Sequence, residues 1–295
     1  MTIDQKQAKK GGSFRLTPWL WPIIAAFITA VLLFYYNDKK ETEQSLTYFP
    51  DDPTLTFTKS QTDLTLNDGK LEWLASSKTD QPVYLRQDVS LLFKNNKLIG
   101  MLSTWDKETD GLVQEQTLPI KKSGGFEAIT IHHAETHYPG DSIKGKETMS
   151  YDHLYIMSTP QGFQSFKVPV TPDETARFLA LKKTERHHQE ALLKKAAEKY
   201  HLRLNNYSIF PLTYLHVYDQ NPLPGLDQKT SHRVISQLWE GLYKHFLLGF
   251  HGEDGRIKKP IGSMTPLILY NKRATDILVV IETASKEILL FKQTI

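Results

Sequence analysis

The feature that most constrains this chain is an uncharged apolar run near its N-terminus, PWLWPIIAAFITAVLLFYY, residues 18–36. As a helix that rises ~1.5 Å per residue, this run would be roughly 27 Å long, close to the hydrocarbon thickness of a bilayer. Trp19 and Trp21 lie at one end, and Tyr35 and Tyr36 lie at the other. Aromatic side chains favour both membrane interfaces, so the run predicts a single transmembrane anchor.

Two alternatives to an anchor fit the run less well. A cleaved signal peptide fits the basic residues that precede the run, but the run is long for one and lacks a small-x-small cleavage site. A buried helix of a soluble protein is usually shorter than this run. We therefore expect an uncleaved signal anchor at 18–36, between a tail at 1–17 and a polar stalk at 37–54.

Basic side chains flank the run unequally, which predicts its orientation. Those that precede it are Lys6, Lys9, Lys10 and Arg15, and those that follow it closely are Lys39 and Lys40. An excess of Lys and Arg marks the cytoplasmic side of a membrane. The N-terminus is therefore expected in the cytoplasm and the large C-terminal part outside it. A tail of about 17 residues is too short to fold, so any activity should be extracytoplasmic.

The charge and the composition exclude several classes of function. The formal net charge of +3 belongs to the first 40 residues, which carry six basic and two acidic side chains, whereas the remainder carries 30 and 31. A nucleic-acid-binding surface needs concentrated positive charge, so no nucleic-acid partner is predicted. The chain has no cysteine, which rules out disulfides, thiolate metal sites and cysteine nucleophiles.

The segment 55–170 has the pattern of β-strands. Runs such as KLEWLAS, VYLRQDVSLLF, KLIGMLSTW and FEAITIHHAETHY are rich in β-branched and aromatic residues. Turn residues such as Asn95-Asn96 separate them and predict hairpins. This segment should therefore form an antiparallel β region.

The segment 171–295 changes to a mixed pattern. Thr171-Pro172-Asp173-Glu174 has the form of a capping box and predicts a helix to about His201, which either continues through the polar run KKTERHHQE or breaks there. A second, amphipathic helix is expected from about Ser231 to Phe250. Two apolar runs at the C-terminus, DILVVIE and EILLFKQ, predict a hairpin.

The fold class that follows is a single N-terminal transmembrane helix and an α+β ectodomain. The ectodomain has an antiparallel β-rich first half, two main helices and a C-terminal β-hairpin. The β-rich part at 55–170 and the α+β part at 171–295 are compatible with one domain.

The candidate chemistry lies in ITIHHAETHY, residues 129–138, where His133, Glu135 and His137 share one face of a strand. Side chains two positions apart are roughly 6 to 7 Å apart, which suits two ligands of one metal, whereas those four apart are roughly 13 Å apart. A divalent metal would therefore use one adjacent pair and a remote ligand. The candidate remote ligands are His153, His187 and His188. The alternative is a solvent-facing strand edge without a metal.

Catalytic motifs are incomplete in this chain. GDSIKGKE, residues 140–147, resembles a phosphate-binding loop but has Glu147 where Ser or Thr would hold magnesium. No G-x-S-x-G sequence of a serine hydrolase occurs.

The leading hypothesis is a non-enzymatic, single-pass binding or assembly module of the bacterial cell envelope, which needs no cofactor. Its expected partners are the bilayer and an envelope protein or cell-wall component, contacted by the segment 172–201 or by exposed β edges. One alternative is a membrane-tethered hydrolase, metal-dependent if it uses His133, Glu135 or His137. Another is a sensor or regulator of a partner membrane protein.

Overall fold

The computed structural model describes residues 46–252 and 254–295, which belong to one compact unit. The predicted tail, anchor and the first part of the stalk lie outside the described residues, as do the residues that predict the orientation. No helix in the described part of the chain is both long enough and apolar enough to cross a membrane.

The first half of the described chain is an antiparallel sheet of six strands, as predicted. The strands are β1 (Phe57–Asn67), β2 (Lys70–Lys94), β3 (Lys97–Pro119), β4 (Gly124–Tyr138), β5 (Ser142–Thr159) and β6 (Gly162–Phe166). Their order is β1-β2-β4-β5-β6, and β3 pairs with the other edge of β2.

The strand β2 is longer than the sequence predicts. KLEWLAS and VYLRQDVSLLF are parts of one strand of 25 residues, which pairs with β1 in its first half and with β4 in its second half. The register with β3 shifts between Lys78 and Val83. Such an irregularity accommodates Pro82, which has no N–H for a ladder. Strand β1 also lies close to β5, where the Leu64 N–H donates to Asp152 Oδ2 at 2.7 Å.

The second half contains two helices and a four-stranded sheet, and its C-terminal hairpin confirms the prediction. The helices are α1 (Pro172–Tyr200) and α2 (Gln228–Leu242), and the strands are β7 (Tyr207–Pro211), β8 (Phe250–His251), β9 (Ile257–Lys258), β10 (Leu267–Asn271), β11 (Asp276–Glu282) and β12 (Ile288–Thr294). The sheet has the order β12-β11-β10-β7, and β8 pairs with β9.

Helix α1 begins and ends as its sequence predicts. The Thr171 hydroxyl accepts from the Glu174 N–H at 3.2 Å, and Glu174 Oε2 accepts from the Thr171 N–H at 2.9 Å. The helix continues unbroken through KKTERHHQE to Tyr200 and is capped by His201, which is left-handed with φ 53°. Only Leu192 and Ala196 are buried, so most of its first half faces solvent.

Helix α2 differs from its predicted bounds. It begins at Gln228, because the Asp227 carboxylate accepts from the Thr230 N–H at 2.8 Å and caps the helix. It ends at Leu242 and passes into a π-turn at Tyr243–Leu247, so the regular helix does not reach Phe250.

The apolar core has three main parts. The largest lies between the two sheets and contains α2, with Val89 and Ile131 from the first sheet and Val279 from the second. A second part, around Trp73 and Phe126, lies on the other face of the first sheet. In the third part, α1 packs against β10 and β11.

The described part of the predicted stalk is packed, which corrects that prediction. Leu46 is 3% exposed and belongs to the largest core. The Asp52 N–H donates to the Gly145 carbonyl at 2.8 Å, and the Gly145 N–H donates to the Pro50 carbonyl at 2.9 Å. Strand β6 pairs with β5 only from Tyr155 onward, and on the remaining edge of β5 this segment satisfies the N–H and the carbonyl of Gly145.

Two tryptophans test the placement of the core. Trp239 is 0% exposed, and its indole N–H donates to Met149 Sδ at 3.3 Å, whereas Trp105 is 45% exposed. We expect Trp239→Ala to lower the free energy of unfolding by about 3–5 kcal/mol, and Trp105→Ala by less than about 1 kcal/mol. Urea unfolding measures both, and equal losses would contradict this packing.

Candidate functional site

Strand β4, which carries the histidine-rich stretch, lies inside the first sheet. It pairs with β2 on one side and with β5 on the other. The side chains of His132 and His133 are both 0% exposed and point to opposite faces. The alternative of a solvent-facing strand edge is therefore wrong.

His133 lies between two carboxylates. Its Nε2 is 3.0 Å from Glu135 Oε1, and its Nδ1 is 2.9 Å from Glu147 Oε1. Ser236 Oγ of α2 donates to Glu147 Oε2 at 3.2 Å, so the cluster joins the first sheet to the helix. Burial alone would lower the pKa of His133, but hydrogen bonds to the two carboxylates and their negative charges raise it to about 9.

The two hydrogen bonds of the His133 ring argue against this side chain as a metal ligand. A protonated ring that donates from both nitrogens has no lone pair for a cation. His137 Nε2 is 3.7 Å from Glu135 Oε2, and its ring stacks on Tyr84 with centroids 3.6 Å apart. Among residues 46–252 and 254–295, no group of three or more His, Asp or Glu side chains is placed to hold a metal.

The proposed remote ligands do not join the cluster. His153 Nε2 bonds to the Lys167 carbonyl at 3.0 Å, and His187 and His188 are exposed on α1. The partner that the fold does supply is Glu147, which faces His133 across the β4–β5 ladder.

A second polar cluster occupies the opposite face of β4. His132 Nδ1 is 2.8 Å from Asp88 Oδ2, and His132 Nε2 is 2.7 Å from Ser150 Oγ. Asp88 also accepts from Ser77 Oγ at 2.6 Å, and Arg86 Nη2 is 3.7 Å from its other oxygen. The side chains of Arg86, Asp88 and His132 have no exposed surface.

The order Asp88–His132–Ser150 resembles the hydrogen-bond order of a hydrolase triad. Two features fit a structural role instead. Ser150 Oγ is also 2.6 Å from Thr62 Oγ1 of β1, and the fully buried ring of His132 leaves no space for a substrate beside it. These residues lie on four strands, so no local motif marks them in the sequence.

An open cleft of about 1010 Å³ lies among the described residues. One wall is the N-terminal segment with Tyr48, Pro53 and Phe57, and the opposite wall is the start of α2 with Lys229 and Arg233. Residues 146–148 of β5 and residues 219 and 220 complete it. No sequence pattern indicates this site, because its residues come from four separate segments.

The charges in this cleft are only partly balanced. Lys146 Nζ pairs with Asp51 Oδ1 at 2.8 Å. Asp219 accepts from the Thr148 hydroxyl and from a backbone N–H, each at 2.9 Å. By contrast, Lys229 has no ion pair with any described residue, and Arg233 bonds only to Gln237 Oε1, at 3.4 Å.

Comparisons with known proteins do not identify the chain. No protein family and no curated protein matches it. Among solved structures, the solution structure of an Arabidopsis thaliana protein is 12% identical, covers 46% of this chain and 93% of its own, and has a TM-score of 0.24. A likeness this low supports no conclusion about fold or function.

The charge on His133 predicts a pH dependence of stability. Its pKa is about 9 in the fold, against 6.5 when unfolded, so its contribution of about 3 kcal/mol is complete below pH 6.5 and is lost as the pH rises through 9. NMR titration of the ring should give the pKa directly. The difference in unfolding free energy between wild type and His133→Gln should shrink between pH 6 and 10. A pKa of the His133 ring at or below 6.5 would contradict the predicted pH dependence.

The second cluster predicts a compensating pair of substitutions. Asp88→Asn leaves the buried Arg86 without a counter-ion and should lower the unfolding free energy by about 3–5 kcal/mol. Adding Arg86→Met removes that buried charge and should restore part of the loss. Chemical unfolding of both variants measures this, and a double variant no more stable than Asp88→Asn would refute it.

Proposed function

We propose that this protein is a single-pass, membrane-anchored extracytoplasmic module that binds an acidic group on an envelope protein or a cell-wall component. The anchor and its orientation rest on the sequence of residues 1–40. The observation that supports binding is the open cleft of about 1010 Å³ with the cations Lys229 and Arg233 at its wall.

The composition of the cleft suits recognition of an anion. Binding sites combine apolar surface with a few polar groups that fix the orientation of the ligand. Here Tyr48 and Phe57 supply aromatic surface, and two cations lie four residues apart on α2. Like charges at that spacing repel each other, so an anion between them is favourable, and a guanidinium binds carboxylate or phosphate through paired hydrogen bonds.

In this proposal the two histidine clusters are structural and take no part in catalysis. Both imidazoles are fully buried, and all four ring nitrogens bond to carboxylates or to a serine hydroxyl. These side chains therefore stabilise the interior that carries the cleft.

Site-specific photo-crosslinking of the full-length protein in its native membrane tests the proposal. A photoreactive residue at Gln228 or Thr230 should capture an envelope component, whereas the same residue at Asp68, in the β1–β2 turn, should not. Arg233→Glu should abolish most of the adduct, because it reverses a charge at the cleft. Arg203→Glu, an equal charge change at an exposed position that does not line the cleft, should leave it unchanged.

The result also separates the candidate partners. Mass spectrometry of the adduct distinguishes a protein from a wall polymer. Equal adducts from Gln228 and Asp68, or an adduct that Arg233→Glu leaves intact, would overturn the proposal.

A further inference from the structure

The strand β3 has one edge that the described chain leaves mostly uncovered. Its inner edge pairs with β2 over most of its length. On its outer edge, Lys97 bridges to Met264 and the Leu98 N–H donates to the Ser263 carbonyl at 2.9 Å. No other strand of the described residues pairs with that edge.

The hydrogen-bond alternation identifies the backbone groups that face outward. The Ile120 N–H donates to the Gly69 carbonyl at 3.1 Å, which makes these two a hydrogen-bonded pair in the β2–β3 register. In an antiparallel ladder every second residue bonds inward, so the N–H and C=O of Val113, Glu115 and Thr117 point away from β2. All three residues are exposed, and Val113 is 68% exposed.

The neighbouring part of this edge is protected, but the run from Val113 to Thr117 is not. Glu108 is left-handed with φ 53°, and the Gly111 N–H donates to the Thr109 hydroxyl at 3.3 Å. Pro119 has no N–H to offer at the far end. Edge strands that lack such protection are templates for another strand.

We propose that the edge of β3 from Val113 to Thr117 pairs with an extended segment of a partner protein that carries Lys or Arg opposite Glu115. Strand addition supplies main-chain hydrogen bonds, and the side chains that alternate along the edge supply specificity. This surface shares no residue with the cleft, so the inference goes beyond the proposed function.

Charge decides between a basic partner and a second copy of the chain. In the register with β2, Glu115 lies opposite Leu74 and is exposed on β3 itself. The Glu72 carboxylate of β2, by contrast, accepts hydrogen bonds from Thr65 and Asn67 of β1, so Glu115 is the carboxylate available at this edge. Two copies paired antiparallel about Glu115 would bring the two Glu115 carboxylates together. Like charges across strands are unfavourable and opposite charges are favourable, so a basic strand fits this edge.

Binding of synthetic peptides to the full-length protein in nanodiscs tests the proposal. The probe is a nine-residue peptide that alternates Lys with Val. Two control peptides carry Glu in place of Lys, or N-methyl groups on the amides that would face β3. Only the Lys peptide should bind. The Glu peptide lacks the charge opposite to Glu115, and the N-methylated peptide keeps every side chain but loses the main-chain donors.

Matched substitutions locate the binding to this edge. Val113→Pro removes an outward-facing donor without breaking a β2–β3 bond and should weaken binding about tenfold, whereas Val113→Thr keeps the donor and should not change it. Thr117→Pro against Thr117→Val repeats the comparison if Val113→Pro fails to fold. Glu115→Lys should weaken binding of the Lys peptide and strengthen binding of the Glu peptide.

Three results would overturn the proposal: equal binding of the N-methylated peptide, equal binding to Val113→Pro and Val113→Thr, or failure of the Lys peptide to bind wild type. A dimer that forms in wild type and is lost in Val113→Pro would also overturn it, since the occupant would be a second copy. Crosslinking at Gln228 does not depend on Val113, so the two proposals fail independently.

Discussion

The length of β2 is the constraint on which the rest of the fold depends. Because β2 continues past Pro82, it pairs with β1 before the irregularity and with β4 after it, on the same edge. That arrangement brings β1 over β5 and encloses the cluster around Asp88 and His132. The opposite face of its second half supplies Val89 to the core that holds α2. The cluster around Asp88 and His132 and the main core therefore both depend on residues of this one strand.

Local signals in the sequence predicted local structure well. The capping box at Thr171 and the turn at Asn95-Asn96 act through neighbouring backbone groups, so the pattern alone suffices to find them. The partner of His133 was missed, although the β4–β5 turn carried a usable signal. Tyr138 pairs with Ser142 across that turn. Counting the same number of residues away from the turn along both strands places Glu147 opposite His133. The cleft could not be predicted, because its walls meet only after α2 packs between the two sheets.

The residues that suggested chemistry and those that suit recognition are mostly different, and the two sets meet at Glu147, which contacts His133 and also lines the cleft. Buried imidazoles, carboxylates and hydroxyls satisfy one another and so hold the sheets and α2 together. Lys229 and Arg233 at the cleft have no ion pair in the described residues, and the outward backbone groups of β3 from Val113 to Thr117 pair with no described strand. Reactive residue types in a sequence therefore point to a site only when the fold leaves them accessible, and here it leaves a different set accessible.

The attachment of the segment that begins at Leu46 has a mechanical consequence. The Tyr48 N–H donates to Glu240 of α2 at 3.3 Å, and Asp51 forms a parallel bridge with Gly145 of β5. Displacing Leu46 from the core would therefore load α2 and β5 together. Because this segment is also a wall of the cleft, its displacement would widen the cleft while the strand pairs of the first sheet stayed intact.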